Sequence, residues 1–123
     1  MSVIKFTTNW NNKLSCSAFT SLRLHNPTKF IVGREFSVML NGRKMGTATL
    51  VTKYTLRVNQ LNNYICYLDT GYNLQQTIGI LEKMHSGINL ETARFDLCLF
   101  TYQKVKPIYP KQTQMQFSLP YKD

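Results

Sequence analysis

The chain is 123 residues long, enough for one modest core and too short for two. With 43% hydrophobic and 17% charged residues, its composition excludes a disordered chain. Fifteen Lys and Arg against six Asp and Glu leave a formal charge of +9, a field that draws anionic partners, nucleic acid foremost.

"VIKF" near the start reads as a short strand, and "NWNN" as a turn. "FTSLRL" reads as a strand, because Thr and bulky apolar residues suit a half-buried pleat. Asn26-Pro27 marks the next turn. In "REFSVMLNGRKMGTATLVTKYTLRV" two alternating runs flank Asn41-Gly42, a strong hairpin signal. The loop "NGRKMG" is expected to expose Arg43 and Lys44. Beyond it, Gly46, Ala48, Leu50, Thr52, Tyr54 and Leu56 fall on one face. Thr49, Lys53, Thr55 and Arg57 fall on the other.

The period then changes. Leu61, Tyr64, Ile65 and Leu68 have helical spacing. "DTGY" interrupts them, and Asp69 sits where a helix cap is expected. Asn73 and Gln76 form a capping box for a helix over 73–86, with Gly87 beyond its end. "ARFDLCLFTY" has two apolar faces and reads as a central strand. Residues 103–123 form a basic, Pro-punctuated tail in which Met115, Phe117 and Leu119 alternate as a last edge strand. Its lysines interleave with aromatics, a pattern that suits single-stranded nucleic acid or simply anchors a terminus. This order predicts an α+β domain: a small β-barrel with two helices packed on one side.

Cys16, Cys66 and Cys98 are odd in number and far apart, and His25 and His85 stand at no ligand spacing from them. No metal site and no cofactor are expected, and Cys66 and Cys98 read as core residues of a reducing compartment. The first residues lack the apolar core of a signal peptide, and no apolar run reaches the roughly 20 residues of a membrane span. A soluble, cytoplasmic protein without a membrane partner is the expectation. Ser21, His25 and Asp69 could be assembled into a hydrolase triad on paper, but no nucleophile elbow accompanies them.

Four stretches, taken in order, resemble the ASCH domain, a branch of the PUA-like barrel superfamily. They are "TSLR", "FIVGREFSVML", "GTATLVTKYTLRVNQL" and "LDTGYNLQQTIGILEKMH", which with their flanks cover about residues 12–102 of a single domain, 1–123. The family's compact Gly-x-Lys-x-x-Thr-x-Arg signature is spread out here. Lys13 precedes Thr20 by seven residues, and Arg23 follows Thr20 by three. The resemblance implies a concave, basic cleft that binds RNA or a nucleotide-like ligand. In one branch it implies hydrolysis of N4-acetylcytidine, for which Lys13, Thr20 and Asp69 are the catalytic candidates.

The residue chemistry is compatible with these roles. Arg23 can hold a phosphate or carbonyl oxygen with its planar fork, Thr20 can exchange a hydrogen bond, and a desolvated Lys13 can act as a base. Against a shared site, residues three apart in a strand point to opposite faces unless a bulge intervenes, so Thr20 and Arg23 should diverge. Lys53 and Arg57 form either a basic stripe for a phosphate backbone or an ordinary solvated face. Trp10 either stacks a base at the cleft mouth or is half-buried packing. Three readings follow: an RNA- or nucleotide-binding domain, a small amidohydrolase acting on an acylated nucleoside, and a protein-binding adaptor with an exposed apolar patch.

Overall fold

A computed structural model describes residues 2–105. In chain order its elements are β1 (Ser2–Phe6), a 3-10 segment (Trp10–Ser15), β2 (Ala18–Leu24), β3 (Glu35–Leu40), β4 (Arg43–Arg57), a short 3-10 turn (Val58–Gln60), α1 (Asn63–Thr70), α2 (Leu74–Met84) and β5 (Arg94–Lys104). The expected strand over 114–119 lies outside the described residues.

Asn41 and Gly42 hold φ of 50° and 83°, the paired left-handed geometry of a two-residue hairpin. The β3–β4 ladder closes at Leu40 and Arg43, so Arg43 and Lys44 begin a strand rather than fill a longer loop. The five strands form one sheet in the order β1-β3-β4-β5-β2. β1 runs parallel to β3, and the other neighbours are antiparallel. β5 is an interior strand, between β4 and the edge strand β2, while β4 holds the middle of the sheet.

The sheet curls into a half-barrel and does not close, because no ladder joins β1 to β2 among the described residues. Side chains bridge the gap instead. The rings of Phe6 on β1 and Phe19 on β2 meet edge to face at 5.9 Å. Inside the curl, Ile4, Phe36, Val38, Ala48, Leu50, Cys98 and Phe100 are fully buried. On the opposite face α1 and α2 bury Leu61, Cys66 and Leu81 against Phe95. The helices cover one end of β5 and leave Leu99 and Thr101 exposed at the other. No helix among the described residues is long and apolar enough to cross a membrane.

One departure from strict alternation matters. The β4–β5 register slips between Leu50, opposite Phe100, and Thr52, opposite Leu99. Val51 is the extra residue of this bulge. Beyond it the faces exchange. Lys53 and Thr55, opposite Cys98 and Asp96, therefore share the inner face with Leu50. Thr49 faces outward, so the expected common face of Thr49 with Lys53 does not exist.

The helices start as their sequences predict. Asn62 Oδ1 accepts from Ile65 N at 2.8 Å, and Asn73 and Gln76 complete the reciprocal capping box. Gly71, at φ 83°, ends α1.

Candidate functional site

The site begins with Lys13. Asn11 and Asn12 both adopt left-handed conformations, at φ 54° and 53°, which asparagine tolerates better than most residues. Asn11 Nδ2 donates to the carbonyls of Tyr67 and Leu68 at 3.3 and 3.1 Å, tying the 3-10 segment to the last turn of α1. Asn9 Oδ1 accepts from Leu14 N at 2.9 Å and fixes the other side of that segment. This double tie folds Lys13 inward, where it is 4% exposed.

Lys13 Nζ donates to the Thr20 carbonyl at 2.6 Å and to Asp69 Oδ1 at 3.0 Å. The Thr20 hydroxyl donates to the same Asp69 Oδ1 at 2.9 Å. The three residues that the ASCH resemblance singles out as catalytic candidates thus meet, although Asp69 lies 56 positions from Lys13. Asp69 is not a cap, as its position suggested. It is buried in the last turn of α1, and its carboxylate turns to the lysine.

The β2–β5 ladder runs without a register shift from Ala18 to Leu24, so no bulge brings Thr20 and Arg23 together. Thr20 faces α1. Ser21 and Arg23 share the inner face, and Arg23 Nε donates to Ser21 Oγ at 2.7 Å. The Arg23 guanidinium lies 4.5 Å from the centre of the Phe6 ring, and Lys13 Nζ lies 5.8 Å from it.

A cleft of about 90 Å³ opens here, across the gap between the edge strands β1 and β2. Lys5 and Phe6 line it from β1, Ser21 and Arg23 from β2, Lys13 and Asp69 from below, and Thr77 and Leu81 from α2. Trp10 also lines it, half-buried and edge to face with Tyr72 at 6.2 Å. Thr70 and Thr77 bond each other at 2.9 Å in the helical wall.

The electrostatics are uneven. Burial pulls the Lys13 ammonium below its ordinary value; Asp69 opposes that pull and Arg23 adds to it by repulsion. Burial also pulls the Arg23 guanidinium down, against the attraction of Asp69. No carboxylate of the described residues lies within 4.0 Å of Arg23. Among the same residues, no group donates to Asp69 Oδ2. The cleft therefore offers an open carboxylate oxygen, a lysine with one uncommitted N–H and an arginine with both terminal nitrogens open.

Lys53 and Arg57 do not join it. Lys53 Nζ donates to the Phe30 carbonyl at 2.5 Å and holds the β2–β3 connection, while Arg57 is exposed opposite Arg94 at the far end of the β4–β5 ladder. Sequence reasoning overlooked Lys5, Ser21 and Thr77 as lining residues. Thr77 carried a signal, since it is a polar residue falling between Leu74 and Leu81 on the apolar side of α2.

No protein-family model, curated protein or solved structure matches the chain.

Proposed function

We propose that this domain binds RNA or a nucleotide-like ligand in the cleft between β1 and β2. One observation carries the reading: Arg23 and Lys13, both desolvated, converge with the open oxygen of Asp69 in a single cleft. Neighbouring donors and an acceptor complement a nucleobase edge, and a cation without a counterion complements a phosphate. Trp10 in the cleft lining would supply a ring for stacking. The ASCH-type, PUA-like assignment belongs to the same proposal, supported by the order of the quoted motifs and the curl of the sheet. Lys53 and Arg57 are not part of it, which favours a confined ligand or a single splayed nucleotide over a long backbone groove.

Trp10 is the chain's sole tryptophan, so its fluorescence reports directly on the cleft. Short RNA and free nucleotides should quench it at low salt, with affinity falling steeply as salt rises. Absence of binding to either at low salt overturns the proposal.

A second reading, hydrolysis of an acylated nucleoside such as N4-acetylcytidine, is favoured by the shared contacts of Asp69 Oδ1 with Lys13 and Thr20. Asp69 Oδ2 would take a proton from water as the water oxygen attacks the acyl carbon. Lys13 would donate to the resulting oxyanion. The C–N bond then breaks, and the proton passes to the leaving amine. In this scheme Thr20 positions Asp69 and is not the nucleophile. Failure of the protein to release acetate from N4-acetylcytidine removes this reading and leaves the binding proposal standing.

A further inference from the structure

Resting on the binding reading above, we infer that the ligand of the cleft is a phosphomonoester, whose phosphate is held by Arg23 with Lys5. Arg23 is half-buried, and its guanidinium is tethered by Nε alone. Two carboxylates stand near it, and neither is within ion-pair distance. Asp69 turns Oδ1 to Lys13 and Thr20 and attracts the arginine only from farther off. Asp96, directly opposite Arg23 on β5, accepts from His25, Thr55 and Asn26. A desolvated guanidinium left without a counterion calls for an anion from outside.

A second cation sharpens the choice of anion. Lys5 lines the same cleft and is not ion-paired among the described residues. Arg23 and Lys5 together bring two unpaired positive charges, which suit a phosphate monoester, whose charge near neutral pH is about −1.5 to −2, better than a diester with a single charge. Asp69 lines the same cleft and repels such a group, so the phosphate seats on the Arg23 side and the base on the Asp69 side.

The experiment compares, by Trp10 fluorescence, the four common nucleosides with their 5′-monophosphates. The monophosphates should bind about 10- to 100-fold more tightly. A Lys5→Ala variant should lose much of that difference and keep its nucleoside affinity. Equal affinity for nucleosides and monophosphates overturns the inference and leaves the binding reading intact. Binding of neither overturns both. A 5′-phosphorylated hexanucleotide, compared with its 5′-hydroxyl form, identifies the source of the phosphate. Preference for the phosphorylated strand points to RNA ends, and failure of both strands beside tight monophosphate binding points to free nucleotides.

Discussion

Arg23 and Asp96 stand directly opposite each other on β2 and β5, yet they form no ion pair. Asp96 is fully buried and turns instead to His25 Nδ1 at 2.9 Å, Thr55 Oγ1 at 2.6 Å and the Asn26 N–H at 3.1 Å. The bulge at Val51 makes this possible, because it turns Thr55 inward. The acid thus pins the β2–β3 connection, and the arginine is left for the cleft.

Asp96→Ala should cost about 3–5 kcal/mol, because three donors lose a buried acceptor. Burial raises the Asp96 carboxyl, but its hydrogen bonds to Thr55, His25 and Asn26 outweigh that, and the net shift is downward from 3.8. A depressed carboxyl contributes stability above its unfolded value. That contribution is lost as pH falls below about 3.8 through the folded value. Urea midpoints between pH 5 and pH 2 should therefore drop less in Asp96→Asn than in the parent chain.

Lys13→Met should be strongly destabilising, by about 3–5 kcal/mol, since it strands the Asp69 carboxylate in a buried site. Lys13→Met/Asp69→Leu should recover part of that loss, and a double-mutant cycle measures the coupling. The Lys13 ammonium is pulled below its ordinary 10.5, so the unfolded chain binds more protons in the window beneath that value. The parent chain should gain stability as pH rises through this window, relative to Lys13→Met.

Thr20→Val removes one hydrogen bond to an ionised acceptor and should cost about 1.5–3 kcal/mol in denaturant midpoints. Because the Thr20 side chain faces α1 rather than the cleft, nucleotide affinity should change by no more than a few-fold. Asp69→Asn should weaken it by about tenfold or more, the worth of one charge-assisted hydrogen bond. Equal effects of both substitutions on affinity would place Thr20 in contact with ligand.

Gly46 lies opposite Lys104 in the β4–β5 ladder, and a β-carbon there would run into the Gln103 carbonyl oxygen and lie 2.7 Å from Tyr102 Cε1 and 2.9 Å from Lys104 Cα. Gly46→Ala should destabilise the domain by about 1–3 kcal/mol through overpacking, with ligand affinity unchanged in the folded fraction. A thermal melt alongside a fluorescence titration separates the two.

Much of the scaffold was legible because local chemistry decides it. Asn41-Gly42 can hold two positive φ angles, Asn73 and Gln76 cap one another, and Phe36, Val38 and Leu40 alternate. The divergence of Thr20 and Arg23 was legible too, from the pleat alone. The face of Lys53 was not, since Val51 looks like any other strand residue and one extra residue reverses every side chain beyond it. The meeting of Lys13 with Asp69 was out of reach for a different reason. It depends on two left-handed asparagines and on a tie from Asn11 to α1, which join segments far apart in the chain.

The gap between β1 and β2 has one more consequence. Among the described residues β1 is laddered to β3 alone, which fastens it to the sheet along a single edge. A ligand seated against Lys5 of β1 and Arg23 of β2 would act as a lateral staple and supply part of the holding that a ladder would give. Its binding energy would then fall most heavily on the slowest hydrogen exchange of β1, protecting Ser2–Phe6 more than the already interior amides of β5.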